Sequence, residues 1–244
     1  MSDAPEKPAR NLRSARVERI FDHAPGIRSL FLRLAEGRAL RFVPGQFISI
    51  SIPLEDETRT RAYSIASGSE DAHVIEICFN RVPGGRGAAW LFERGVGDTL
   101  DFIGPFGTFT MERAPEVETV LIAEGTAIAP IRPMMHLAAR AKEHAPTLLL
   151  YGAQSPEQLL YRAELERLAA NDRDLRIESM VVPDADCAAL YERLAEETQK
   201  RWVNGDNVRV RQFYICGVGK GVLRLRDLLR AAGYERRSVH YEQW

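Results

Sequence analysis

Arg61-Ala62-Tyr63-Ser64-Ile65-Ala66-Ser67 follows the turn Phe42-Val43-Pro44-Gly45-Gln46-Phe47 in the midst of short β-rich runs. Outward from that heptapeptide, runs at 12–21, 27–34, 46–52, 73–79 and 99–103 are bounded by turn residues, which with 61–65 makes six strands. Residues 46–52 read Gln-Phe-Ile-Ser-Ile-Ser-Ile, the period of two expected of a strand with one buried and one wet face. Residues 73–79 alternate likewise, with Val74 out of phase, and one brief helical stretch falls near 88–93. Strands at this spacing, with no crossover-length helix between them, predict an antiparallel six-stranded β-barrel rather than βαβ units.

The texture changes after Pro115. Short apolar runs at 120–122, 148–151, 177–182 and 213–215 alternate with patterns of three-and-four spacing at 128–143, 156–170, about 187–197 and 220–232, and a last short strand falls near 238–241. Strand followed by helix, repeated, predicts an α/β domain with a parallel sheet and right-handed crossovers. The expected organisation is a polar tail at 1–11, a β-barrel domain at 12–114 and an α/β domain at 115–244.

Composition narrows the function. The chain of 244 residues has 45% apolar and 27% charged residues, and 33 Lys and Arg against 34 Asp and Glu, so its net charge of −1 does not argue for nucleic acid. No apolar run approaches the roughly 20 residues of a membrane span, and the polar start of the chain carries no signal-peptide core. A cytoplasmic protein that engages neither membrane nor nucleic acid is expected. Cys78, Cys187 and Cys216 are odd in number and scattered, which leaves no disulfide framework and no Cys-x-x-Cys metal or iron–sulfur site; no metal is expected, and any thiol that matters acts alone.

The heptapeptide resembles the R-x-Y-S-x-x-S flavin motif of the ferredoxin–NADP reductase family, and the Pro44-Gly45-Gln46-Phe47 turn resembles the one preceding it in that family. The chemistry fits, because an Arg forks onto phosphate oxygens, a Tyr offers a flat face to an isoalloxazine, and a Ser hydroxyl bonds a ring nitrogen. Pro83-Gly84-Gly85-Arg86-Gly87-Ala88-Ala89-Trp90 looks like the family's second flavin-phosphate element, with Ala88 where many members carry Ser or Thr. The turn Gly104-Pro105-Phe106-Gly107 matches the family's barrel closure. Leu121-Ile122-Ala123-Glu124-Gly125-Thr126-Ala127-Ile128-Ala129-Pro130 resembles its G-T-G-I-A-P dinucleotide loop, with Ala127 in place of the second glycine. Cys216-Gly217 closes a strand as the family's Cys-Gly pair does, and Glu242 stands two residues before the terminal aromatic Trp244. The resemblance runs from about Leu12 to Trp244 and implies an FAD-binding Greek-key β-barrel at 12–114 joined to an NAD(P)-binding α/β domain at 115–244.

That resemblance implies a flavoprotein oxidoreductase, in which a reduced nicotinamide, NADH or NADPH, passes hydride to FAD, and FAD releases electrons to a separate acceptor. It implies Arg61, Ala62, Tyr63, Ser64 and Ser67 as FAD-binding residues, with Gly85, Gly87 and Ala88 along its phosphates. Gly125, Thr126 and Gly217 would hold the dinucleotide. Ser64, Cys216, Glu242 and Trp244 would line the hydride-transfer site, Trp244 stacking on the flavin until nicotinamide displaces it. A core-packing cysteine and a frayed terminal residue are the plain alternatives for the last pair of roles.

The dinucleotide preference stays open. Ser179-Met180 and Tyr151-Gly152-Ala153-Gln154 lack the Arg with which NADP-dependent members grip a 2′-phosphate, which leans toward NADH, whereas Tyr161-Arg162 and Tyr191 are candidates for stacking on adenine and contacting a phosphate. Nine basic residues between Lys7 and Arg41 (Lys7, Arg10, Arg13, Arg16, Arg19, Arg28, Arg33, Arg38, Arg41) against Glu18, Asp22 and Glu36 suggest a docking face for a small acidic ferredoxin or flavodoxin, or only solvated strand faces. A reductase of free flavin or small molecules, and a non-catalytic flavin-binding electron-transfer subunit of a larger complex, are the rival readings; Ala88 and Ala127 suggest the second.

Overall fold

The computed structural model describes residues 12–35, 39–68, 71, 73–183 and 187–244. The tail expected at 1–11, with Lys7 and Arg10, and Glu36 and Arg38 of the basic stretch, lie outside the described residues.

Six strands, β1 (Arg13–Ala24), β2 (Ile27–Leu34), β3 (Phe47–Pro53), β4 (Thr58–Ser64), β5 (Val74–Asn80) and β6 (Thr99–Phe106), form one antiparallel sheet in the order β4-β3-β6-β1-β2-β5. An isolated bridge between Ile65, just past β4, and Ile77 of β5 joins the two ends of that order and closes the barrel. The alternation seen at 46–52 is realised in β3, where Ile48, Ile50 and Ile52 are fully buried while Ser49 and Ser51 stay half-buried. Val74, out of phase in the sequence, is only half-buried, but the five residues from Ile75 to Phe79 are buried without alternation, because the strand is covered on one side by the barrel core and on the other by the second domain. Helix α1 (Arg86–Phe92) pins its Leu91 into the barrel core.

Five parallel strands follow, β7 (Thr119–Glu124), β8 (Thr147–Ala153), β9 (Leu175–Val181), β10 (Gln212–Gly217) and β11 (Val239–Gln243), in the order β11-β10-β7-β8-β9. Helices α2 (Ile128–Arg140), α3 (Arg162–Ala170), α4 (Cys187–Thr198) and α5 (Lys220–Ala231) cover the two faces, α2 and α3 between the sheet and the barrel and α4 and α5 on the outside. The continuous helix expected at 156–170 is broken. A single 3-10 turn, Pro156–Gln158, precedes α3, and Tyr161 between them takes φ +57°, a left-handed conformation that an L-residue adopts at a cost of about 1–2 kcal/mol. Helix α4 runs on into a π-helical turn, Gln199–Val203, that buries Trp202.

His144 lies at the amino-terminal edge of the sheet, with its side chain only 3% exposed. Its Nε2 faces Asp172 Oδ2 at 2.8 Å and its Nδ1 faces the Ala145 carbonyl at 2.7 Å, two acceptors that only the doubly protonated ring satisfies together. Burial works to lower the His144 pKa, but these bonds outweigh it and raise the value above the usual 6.5, while the bond from His144 holds the Asp172 carboxyl below 3.8. The pair therefore stabilises the fold fully only between the two ordinary values. Its contribution fades as pH rises through the raised His144 pKa, and again as pH falls through the lowered Asp172 pKa. His144→Asn is expected to cost about 1 kcal/mol at pH 5 to 6 and progressively less in the alkaline range, read as the difference in thermal midpoint from the parent protein. A pH-independent difference would contradict the paired, charged imidazole.

Candidate functional site

Strand β4 divides the heptapeptide by its period of two. Arg59, Arg61 and Tyr63 line one cavity of about 330 Å³, shared with Ile52, Leu54 and the turn from Gly84 to Ala88. Ala62 and Ser64 face a second cavity of about 400 Å³, shared with Phe47, the segment from Gly107 to Phe109, and the C-terminal Tyr241, Glu242, Gln243 and Trp244. One strand thus serves two compartments, and the chain's last four residues reach the second across the domain boundary.

In the first compartment the cations differ in their partners. Arg59 pairs with Glu57 and Arg86 with Asp56, whereas Arg61 donates only to the Thr60 carbonyl at 2.9 Å and makes no ion pair among the described residues. Gly87 lies directly against it: a β-carbon there would stand 3.3 Å from Arg61 Cγ and 3.1 Å from Ile52 Cδ1. Tyr63 is set edge-on to Phe79 with ring centroids 5.7 Å apart, and burial pushes its phenol up to about 12, so its ring is neutral at any working pH. An exposed, uncompensated guanidinium beside a glycine-rich turn and a flat aromatic is a donor set for a phosphate-bearing aromatic ligand.

In the second compartment the Ser64 hydroxyl has no hydrogen-bond partner among the described residues although the residue is buried. Trp244 is not a frayed end. Its N–H donates to the Gly217 carbonyl at 3.0 Å, its carbonyl accepts from the Gly219 N–H at 3.3 Å, and its indole Nε1–H donates to Glu242 Oε1 at 2.8 Å. Burial raises the Glu242 carboxyl above its ordinary value, opposed by the indole bond. Cys216 is paired with Glu242 across the sheet, β10 to β11, but it is fully buried and does not line the cavity. Burial, aided by Glu242 and Glu124, pushes its thiol well above the usual range, so it stays protonated. Gly217 is required by close approach: a β-carbon there would fall 1.9 Å from the Tyr191 hydroxyl, which donates to the Cys216 carbonyl.

Gly125, at φ +49°, opens a 3-10 turn, Gly125–Ala127, at the carboxyl end of β7, and α2 starts directly after it. No atom lies within 4 Å of where a Gly125 β-carbon would stand, so the space beside the turn is open. Tyr151 fixes the turn from below by donating to the Gly125 carbonyl at 2.8 Å. Ala127 sits at φ −65°, ψ −7°, an ordinary right-handed conformation, so the missing glycine imposes no distortion. Thr126 lies in the turn and caps no helix with its side chain.

Several expected residues stand elsewhere. The Ser67 hydroxyl accepts the Glu76 N–H at 3.1 Å and lines neither cavity. Tyr161 and Tyr191 cannot stack on adenine as they stand. Tyr191 is 1% exposed beneath Gly217, and Tyr161 is turned into the domain junction, its hydroxyl bonded to Glu76. Arg162 pairs with Glu166 on its own helix. The basic stretch is partly neutralised: Arg28 pairs with Asp22 and Arg33 with Glu18, while Arg19 lies over the Phe31 ring. Conversely, sequence reasoning passed over Phe47, Thr108 and Phe109, which line the second cavity; their place beside the Pro44-Gly45-Gln46 and Gly104-Pro105-Phe106-Gly107 turns was the available signal.

Residues 15–111 match the oxidoreductase FAD-binding domain family and residues 121–223 the oxidoreductase NAD-binding domain family. The chain is 31% identical to ferredoxin–NADP reductase B of Sorangium cellulosum over 94% of its own length and 96% of that protein. It is 27% identical to the toluate 1,2-dioxygenase electron transfer component of Pseudomonas putida and to the propane 2-monooxygenase reductase component of Rhodococcus jostii, spanning 62% of the length of each. In fold it superimposes on a Neisseria gonorrhoeae ferredoxin NADP+ reductase with a TM-score of 0.79 at 20% identity, over 95% of this chain and 98% of the other. No helix among the described residues is long and apolar enough to cross a membrane.

Proposed function

The chain belongs to the ferredoxin–NADP reductase family of FAD-dependent NAD(P)H oxidoreductases, and from that premise we propose that it passes electrons from NAD(P)H through FAD to a separate protein acceptor, a ferredoxin or flavodoxin. The observation that carries the reading is the division of β4 between two compartments, with an uncompensated Arg61 in one and an unpartnered Ser64 hydroxyl in the other.

These residues fit FAD. Arg61 would fork onto its pyrophosphate, with Gly85, Gly87 and Ala88 letting the backbone approach, and Tyr63 would lie against the ring while Ala62 leaves room beside it. Bound there, FAD supplies hydride acceptance from the nicotinamide and onward release of electrons. The Ser64 hydroxyl, unpartnered among the described residues, would donate to a ring nitrogen and orient it. Trp244 would cover the ring until a nicotinamide displaces it, and Glu242, whose carboxyl burial raises above its ordinary value, stands beside the same opening. The Cys216 thiol, kept neutral, lies buried beside Glu242 on the neighbouring strand, and Gly125 and Thr126 would offer the turn to the dinucleotide phosphates.

The separate acceptor is supported by relatives named as reductase or electron transfer components of oxygenases and as ferredoxin–NADP reductase. The ordinary geometry of Ala127 removes one of the two motives for a non-catalytic subunit. The test is anaerobic reduction with NADH and NADPH side by side, on the full chain and on a chain lacking Trp244. Bleaching of the yellow protein is expected. Removing the indole, whose stacking is worth about 0.5–1.5 kcal/mol, should tighten binding of the oxidised dinucleotide several-fold and shift the flavin spectrum. A protein that stays yellow with both dinucleotides is a binding module, and a truncated chain with unchanged affinity and spectrum puts Trp244 away from the ring.

A further inference from the structure

A buried polar cluster stands at the junction of barrel and parallel sheet and touches neither cavity. At its centre is Arg132, in the second turn of α2, with its side chain 14% exposed. The guanidinium forks onto Glu164 of α3, Nε to Oε1 at 2.7 Å and Nη2 to Oε2 at 2.9 Å. Its Nη1 reaches the other way, donating to Glu76 Oε2 of β5 at 2.7 Å and to the Ala66 carbonyl at 2.8 Å. One face lies over the Tyr161 ring at 4.2 Å, and the Tyr161 hydroxyl donates to the remaining Glu76 oxygen at 2.7 Å.

The barrel side of this cluster ends on the heptapeptide. The Ala66 N–H donates to the Glu76 carbonyl at 2.7 Å, and the Glu76 N–H donates to Ser67 Oγ at 3.1 Å. Ala66 is therefore held at its N–H by Glu76 and at its carbonyl by Arg132, while Ser67 serves the same clamp. Ala66 is joined to Ser64 through Ile65, itself fixed by its N–H to the Gln46 carbonyl at 2.9 Å and by the bridge to Ile77. On the other side, Arg132 is joined to the Gly125–Ala127 turn through the first turn of a rigid helix.

We infer that Arg132 is a positioning residue: by clamping the Ala66 carbonyl and Glu76 to Glu164, it fixes the Ser64 end of the flavin-binding strand against the helix that begins at the dinucleotide turn, and so sets the alignment of hydride donor and acceptor. The inference rests on the reductase reading above. A single planar fork that satisfies two carboxylates and a carbonyl in two opposite directions gives a defined geometry that a Lys ammonium, a point charge on a flexible stem, does not reproduce.

The test uses the full-length FAD-loaded protein and two variants, Arg132→Lys and the charge-balanced Glu76→Gln/Arg132→Gln, which leaves no unpaired carboxylate in the barrel wall. Hydrogen exchange of the peptide containing Ala66 and Ser67 is expected to rise in both, with the rest of the barrel and the FAD stoichiometry unchanged. The limiting rate of flavin reduction should fall by about tenfold to a hundredfold, as a misplacement of about 1 Å produces, while the apparent Kd for the dinucleotide stays within about twofold. A limiting rate within about twofold of the parent in a variant whose Ala66 peptide has lost protection would overturn the proposal. So would a rate loss in both variants that only tracks loss of FAD and a lowered melting temperature, since that is the signature of glue. A parent protein reduced by neither NADH nor NADPH overturns the reductase reading itself, seen before any variant is made.

Discussion

Arg61→Ala should bind FAD about tenfold to a hundredfold more weakly than the parent protein, because hydrogen bonds from a guanidinium to a phosphate are charge-assisted and worth about 1.5–3 kcal/mol. The structure makes this substitution clean. Arg61 is exposed and has no ion pair among the described residues, so its removal strands no carboxylate and should leave the melting temperature of the apoprotein unchanged. Two controls isolate the cause. Arg59→Ala, in the same cavity but already paired with Glu57, should weaken FAD far less. FMN, which lacks the pyrophosphate, should lose less affinity than FAD to Arg61→Ala, so the preference between the two flavins narrows. Equilibrium titration of apoprotein with each flavin measures all of these, and an Arg61→Ala protein that keeps full FAD affinity would show that the heptapeptide has been assigned the wrong ligand.

Gly217→Ala is expected to cost about 3–5 kcal/mol of folding stability, a large part of the 5–15 kcal/mol typical of a domain. The added β-carbon would stand 1.9 Å from the Tyr191 hydroxyl oxygen and 2.5 Å from two of its ring carbons, and Tyr191 is 1% exposed, with its own β-carbon hemmed in by Gly221. Overpacking typically costs about 1–3 kcal/mol, and pushing the phenol off the Cys216 carbonyl leaves a buried acceptor unsatisfied for a similar amount. The origin is testable by a double-mutant cycle. Once Tyr191→Ala has emptied the space, adding Gly217→Ala should cost almost nothing further, and urea unfolding of the four proteins gives the coupling. Additive costs would mean that the clash lies elsewhere. Because the Gly217 carbonyl accepts the Trp244 N–H, the single variant should also disturb the C-terminal residue at the second cavity.

The elements were legible in the sequence wherever burial is one-sided. The period of two at 46–52 and the three-and-four spacing of α2 and α5 are direct images of one face turned to the core, and the structure places β3, α2 and α5 within a few residues of the expected bounds. The helix expected at 156–170 failed for the opposite reason. Nothing local in Leu160-Tyr161-Arg162 demands a break; Tyr161 is held at positive φ by contacts with Arg132 and Glu76, which lie on other elements. The unbroken burial of β5 from Ile75 to Phe79 has the same root, since a second domain covers the face that would otherwise be wet.

The candidate site divides along the same line. By itself the sequence determined the barrel and the parallel sheet, the order of the motifs, and the residue types at Arg61, Tyr63, Ser64, Gly125, Cys216, Gly217 and Glu242, because turn chemistry, strand period and phosphate-binding glycines are local properties carried by neighbouring residues. Only the tertiary structure decided that β4 splits its side chains between two cavities, that Ser67 serves Glu76 rather than either cavity, that Tyr191 sits under Gly217 instead of facing solvent, and that Trp244 is tied into the sheet. It also brought Arg132 to Glu76, 56 residues away in the chain, and to Glu164, 32 residues away. Such pairings have no sequence signature, because they depend on where the two domains meet and not on the spacing of residues within either.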